Sequence, residues 1–159
     1  MRRKSTLTLR QRALGALARR DHSRLELARK LKRIREEHDD VDALLDEFEA
    51  NGWLSDERFA GSAARQRQGR FSQRHIVEDL KSKGVAVDTA KTAVAALEQD
   101  DEAIALALWQ RRFGEPAVDQ KEKARQVRFL QSRGFSLSIV FRVLKRAGTT
   151  VDDDAPVED

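Results

Sequence analysis

The chain has no cysteine, no tyrosine and only two prolines among its 159 residues. Without cysteine there are no disulfides, no thiolate nucleophile and no cysteine-based zinc site. No apolar run approaches the ~20 residues that span a bilayer. The N-terminal stretch MRRKSTLTLRQRALGALARR is basic but lacks the continuous apolar core and cleavage site of a secretory signal, so the expected compartment is the cytoplasm. Catalytic signatures are equally scarce. There is no GxSxG elbow and no phosphate-binding glycine loop. His22, His38 and His75 stand beside caps or turns without HExxH spacing, and the acids of 36–60 lack the D-x-[DN]-x-[DN]-G pattern of a calcium loop. The expectation is a protein that is not an enzyme and holds neither metal nor cofactor.

Charge is what the chain has in quantity. Charged residues make up 36% and hydrophobic residues 40%, against a usual charged share of about a quarter. That balance favours thin helical layers over one large core. Net charge is only +4, but it comes in blocks. Residues 1–35 carry 13 Lys/Arg against Asp21 and Glu26, whereas residues 36–60 carry 10 acids against Arg58. Residues 106–148 turn basic again and the tail from 149 is acidic. Alternation of this kind suits a partner that is polyanionic and also protein-like better than bare DNA.

Apolar spacing is helical almost throughout. Leu27, Leu31 and Ile34 follow i, i+4, i+7, and Val41, Leu44, Leu45 and Phe48 follow i, i+3, i+4, i+7. No segment of useful length alternates with period two, so the fold class expected is all-α. Ser23 with Glu26 reads as a capping box, and Ser55, Ser72, Asp88 and Ser136 are further candidate N-caps. Gly52, Gly69, Gly84, Gly114, Gly134 and Gly148 read as helix stops. In the stretch GWLSDERFAGSAARQRQGRF, acids open a helix and bases close it, the order that a helix dipole favours.

The pattern also repeats. An offset of 49 places Ser23, Leu27, Leu31, Val41, Leu45 and Phe48 on Ser72, Ile76, Leu80, Ala90, Val94 and Leu97. An offset of 45 places Asp56, Glu57, Arg67 and Gly69 on Asp101, Glu102, Arg112 and Gly114, and an offset of 50 carries Lys83-Gly84 onto Arg133-Gly134. The expected architecture is therefore an elongated, curved tandem array: a basic N-terminal segment and leading helix at 1–21, a first three-helix unit at 22–69, a second at 70–114, a truncated third at 115–148, and a disordered acidic tail at 149–159.

The candidate functional residues are basic and recur at equivalent helix ends. Arg65, Arg67, Arg70 and Arg74 straddle the Gly69 turn, and Lys81 and Lys83 follow one helix on. Arg111 and Arg112 sit at the matching helix end, and Arg125, Arg128 and Arg133 line the last unit beside Lys121 and Lys123. Arginine suits forked recognition of phosphate or carboxylate. The aromatics argue against base stacking: Phe48, Phe59, Phe113 and Phe141 fall on core-facing steps, and Trp53 and Trp109 close a core. Phe71 and Phe135 begin units just after a turn and leave both readings open.

The segments NGWLSDERFA, GRFSQRHIVEDLKSKGV, RRFGEP and KARQVRFLQSRGFS resemble the RecX family, regulators of the RecA recombinase, over about Arg19 to Arg146. Two departures stand out. Arg35 occupies a place where the family often has the turn glycine, so that helix is expected to run on, and Phe71-Ser72 replaces a frequent Gly-Pro. The resemblance implies tandem three-helix units that lie in the groove of RecA filaments on DNA and suppress ATP hydrolysis, strand exchange and coprotease activity, limiting recombination and the SOS response. The implied partner is the RecA nucleoprotein filament, with DNA bound weakly or through it. A monomer is expected, since no unbroken apolar stripe is left over. The alternative is a helix-turn-helix-like protein that binds duplex DNA directly.

Overall fold

The computed structural model describes residues 7–150. Among these residues there are nine helices and no strand, as the spacing predicts. They are α1 (Leu9–Arg19), α2 (Arg24–Lys32), α3 (Val41–Ala50), α4 (Asp56–Arg67), α5 (Gln73–Ser82), α6 (Val87–Ala95), α7 (Asp101–Arg112), α8 (Gln120–Ser132) and α9 (Leu137–Arg146). The chain forms two compact units, Met1–Gln66 with Val77–Ala96 and Arg67–Ile76 with Leu97–Asp159.

Local chemistry sets most boundaries. Ser23 accepts from the Glu26 N–H while the Glu26 carboxylate accepts from the Ser23 N–H, and each such cap stabilises a helix by about 1 kcal/mol. Ser55, Ser72 and Ser136 accept from the N–H groups of Arg58, His75 and Ile139. Thr8 and Gln11 form a second capping box at the start of α1, which was not among the expected caps. Asp88 is not a cap: α6 begins at Val87 behind Ala86, which offers no side-chain bond, and Asp88 lies inside the first turn. All six expected stop glycines have positive φ, between 74° and 91°. The α2 helix does not run on through Arg35. It ends at Lys32, where the Ile34 N–H turns back to the Leu31 carbonyl, and Ile34 leaves the apolar row to stand 40% exposed.

In the first compact unit, α1, α2 and α3 share one core of Leu9, Ala13, Leu27, Leu31, Leu45 and Phe48, with Leu54 following α3. The leading helix thus packs with the two that follow it. In the second unit, α7, α8 and α9 share a core built on Leu108, Trp109, Leu130, Val140, Val143 and Leu144. A repeat offset fixes the period of a repeat and not its starting point, and these cores begin at α1 and α7. Thr149, placed with the acidic tail by its sequence, is buried: its N–H donates to the Leu144 carbonyl and its hydroxyl accepts from the Ala117 N–H. The remainder of the tail expectation falls outside the described residues apart from Thr150.

Each unit contains the same joint. In the first, the turn after α5 packs on the N-terminus of α2: Ser23 Oγ donates to the Lys83 carbonyl at 2.7 Å, and a Cβ on Gly84 would stand 2.7 Å from Leu25 Cβ. In the second, the turn after α8 packs on the N-terminus of α5: the Ser72 N–H donates to the Arg133 carbonyl at 2.9 Å, and a Cβ on Gly134 would stand 2.5 Å from His75 Cβ. A paired aspartate contact accompanies the joint. Asp56 accepts from the Arg24 N–H at 2.7 Å, and Asp101 accepts from the Gln73 N–H at 3.2 Å.

Candidate functional site

Ion pairing inside the first unit consumes part of the charge alternation. Arg10 pairs with Glu47, Arg24 with Asp46 and Glu49, and Arg58 with Asp21. The basic α1–α2 region therefore meets the acidic α3 within the chain, and exposed pairs of this kind stabilise by only about 0–1 kcal/mol each. Fewer acids of 36–60 are left to meet a partner than the sequence count suggests.

Of the eleven candidate basic residues, Arg65, Lys81 and Lys83 belong to the first unit and the other eight to the second. Arg65 is exposed on α4, Lys81 is exposed and pairs with Glu78 at 3.1 Å, and Lys83 is half-buried beside Glu26. Burial works against the Glu26 charge, but the Arg20 guanidinium, the Ser23 N–H and the Lys83 ammonium outweigh it and hold the carboxyl below its usual range. Arg70, Arg74, Arg111 and Arg128 are exposed, and Arg67 is half-buried.

Arg112, Arg125 and Arg133 are gathered on aromatic rings. The Arg133 guanidinium lies 5.3 Å from the Phe71 ring centre and 5.4 Å from that of Phe129. Arg112 lies 5.9 Å from Phe129 and 5.8 Å from Phe113, and Arg125 is 5.8 Å from Phe113. Phe113 and Phe129 meet edge to face at 5.4 Å, and His75 stacks on Phe71 at 4.4 Å. Contacts at this range contribute about 0.5–1 kcal/mol each at exposed sites.

Two buried glutamines support these rings. Gln99 accepts from the Gly69 N–H and donates to the Phe71 carbonyl, which fixes the turn carrying Phe71. Gln126 accepts from the Trp109 indole N–H at 2.9 Å and donates to the Glu115 carbonyl, tying the loop after Phe113 to α8. Trp109 is thus a core residue, as expected, and so is Phe135. Trp53 is not enclosed: it stands 42% exposed with its ring edge-on to Phe48 and the Arg10 guanidinium over both. Phe113 is half-buried rather than fully core, and Phe129 was missed in the sequence although it shares a ring contact with two arginines. Its signal was the i, i+4 pair Phe129–Arg133, masked by the apolar row of α8.

His22 is cap-adjacent and buried, 4% exposed. Among the described residues no group of three His, Asp or Glu side chains converges to hold a metal ion. No described helix is long and apolar enough to cross a membrane.

Fold and surface together define an all-α protein of tandem three-helix units with guanidiniums grouped on one of them. Segment 55–94 matches the RecX second three-helix domain, and segment 99–144 matches the RecX third three-helix domain. The chain is 44% identical over 152 residues to the regulatory protein RecX of Ralstonia nicotianae, covering 95% of this chain and 96% of that one. It is 44% identical over 148 residues to the regulatory protein RecX of Leptothrix cholodnii, covering 93% and 94%. The crystal structure of RecX from Lactobacillus salivarius has the same fold, with a TM-score of 0.68 at 18% identity over 87% of this chain and 94% of that one. The chain belongs to the RecX family of regulatory proteins.

Proposed function

We propose that this chain binds RecA nucleoprotein filaments in the cytoplasm and lowers their ATP hydrolysis, strand exchange and coprotease activity, limiting recombination and the SOS response. The observation that carries this reading is the likeness to regulatory RecX proteins over nearly the full length of both chains. The surface is compatible. Arg65 and Arg70, either side of the Gly69 turn, are exposed, and the helix ends of the second unit present further arginines suited to phosphate or carboxylate. The role is regulatory rather than catalytic, and DNA is engaged weakly or through the filament.

The test is ATP hydrolysis by preformed RecA filaments on single-stranded DNA, titrated with this protein far below one per RecA, beside a DNA-only binding control. Inhibition at low ratio with weak binding to bare DNA is the expected result. No inhibition, with tight sequence-selective duplex binding instead, would replace this reading with a helix-turn-helix-like DNA-binding protein.

A further inference from the structure

The geometry points to a division of labour within the basic surface: the aromatic-braced guanidiniums of Arg112, Arg125 and Arg133 form a contact row for the phosphodiester backbone of a DNA strand. This rests on the reading that the basic surface is the working one, and it names the chemistry that one part of that surface meets.

Three observations lead there. Arg112 and Arg133 both lie over the Phe129 ring, at 5.9 and 5.4 Å, and Arg112 and Arg125 share the Phe113 ring. The guanidiniums are therefore held against shared rings rather than on free stems, so less side-chain freedom is lost when an anion binds. Among the described residues neither Arg112 nor Arg133 has a carboxylate partner, and Arg125 has only the half-buried Glu122 at 3.5 Å. The surrounding sequence is basic: residues 106–148 carry ten Lys/Arg against Glu115, Asp119 and Glu122.

Several guanidiniums grouped on neighbouring rings suit an anion that repeats along a chain, as one phosphate per nucleotide does. Arginine beside aromatic rings also suits a protein interface. What favours a phosphodiester chain here is the local balance of ten Lys/Arg against three acids, with guanidiniums covering the half-buried rings. The same cover rules out base stacking on them, so the row reads the backbone and gives no sequence preference. If all three met phosphates of a single strand, they would contribute about −2 to the slope of log affinity against log salt.

The full chain is titrated onto labelled oligothymidylate and, separately, labelled polyglutamate, with anisotropy as the readout. The Arg112→Lys/Arg133→Lys variant keeps both charges and loses the planar forks, and Phe129→Leu removes the shared ring while keeping an apolar side chain. Each is expected to weaken oligothymidylate binding about tenfold, with polyglutamate bound far less tightly by the parent. Parent-like affinity in the double lysine variant would overturn the row, because charge alone would then suffice. Equal affinity for polyglutamate would overturn the assignment to nucleic acid. Thermal unfolding checks Phe129→Leu, and the double lysine variant, confined to half-buried and exposed surface, decides the matter should the leucine variant unfold. Filament inhibition measured on the same variants separates the two readings. Lost DNA affinity with inhibition retained would support the row and place the filament contacts elsewhere. A parent chain that binds oligothymidylate but never inhibits would support the row and overturn the regulatory reading alone.

Discussion

Ser23 and Lys83 are 60 residues apart in the chain, and the Ser23 hydroxyl donates to the Lys83 carbonyl at 2.7 Å. The same serine oxygen caps α2 by accepting from the Glu26 N–H. One side chain thus both starts a helix and receives the turn of a later one. Ser72 stands at the equivalent place in the second unit, where its Oγ caps α5 and its N–H reaches Arg133. The turn glycines Gly84 and Gly134 consequently carry two requirements, a positive φ and the absence of a side chain where backbone approaches helix.

Those two requirements can be separated by substitution. Gly52 has a φ of 74° and open space around it, whereas Gly84 has a φ of 83° and a methyl group added there would meet Leu25 Cβ at 2.7 Å. Gly52→Ala should cost about 1–2 kcal/mol, the strain of a left-handed alanine. Gly84→Ala and Gly134→Ala should each cost about 1–3 kcal/mol beyond that, since Leu25 on one side and Ser72 with His75 on the other must shift. Urea unfolding at equilibrium gives the three values. Equal costs at all three positions would show that the joints relax freely.

Glu98 gives the opposite case. It is the one non-glycine residue with positive φ among the described residues, at 51° in the α6–α7 turn. Glu98→Gly should stabilise the protein by up to about 1 kcal/mol, the relief of strain exceeding the extra freedom of the unfolded chain. A lower urea midpoint in this variant would mean that the glutamate makes a contribution that outweighs its backbone strain.

His22 couples stability to pH. Burial, with the Arg20 charge beside it, disfavours the imidazolium and outweighs the bond from Nδ1 to the Arg20 carbonyl, so the folded pKa lies below 6.5. The unfolded chain then takes up the proton first as pH falls. The stabilising contribution is whole above 6.5 and is lost as pH drops through the folded value. Glu26, whose folded pKa is also lowered, adds a second loss starting near 4.5. His22→Phe should flatten the melting-temperature profile just below 6.5 and leave the steeper acid limb near 4.5 in place. An unchanged profile would show that the folded imidazole titrates as the unfolded one does.

The sequence made the helices and most caps legible because these are local: Ser23, Ser55, Ser72 and Ser136 each bond an N–H three residues on. Asp88 misled because an acid in the first turn resembles a cap in composition, and the backbone had already become helical at Val87. Arg35 misled because the α2 turn closes through Ile34 and Leu31 without a glycine. The clustering of guanidiniums on rings is half legible. Arg112 is legible as a basic helix end and Arg125 and Arg133 as basic residues lining the last unit, but their grouping depends on Phe71, Phe113 and Phe129, which come from three separate parts of the chain. The joint residues do recur, Ser23 with Lys83-Gly84 and Ser72 with Arg133-Gly134, but a repeat offset does not say which residues meet, and the shared rings follow no offset, so only the folded chain displays the contacts.

The filament reading makes its own demand on the Gly69 turn. Arg65 and Arg70 are exposed on either side of it, and Arg67 lies between them, half-buried. Reversal of all three, Arg65→Glu/Arg67→Glu/Arg70→Glu, would replace attraction by repulsion toward phosphate or an acidic filament surface, and should raise the concentration needed for half-inhibition of RecA ATP hydrolysis by about tenfold or more. The loss should deepen as salt is lowered, because repulsion between exposed charges grows when screening falls. A circular-dichroism melt guards against a folding defect, since Arg67 is only half-exposed. Inhibition equal to the parent's at every salt concentration would remove this turn from the contact surface and leave the helix ends of the second unit as the place where the filament is met.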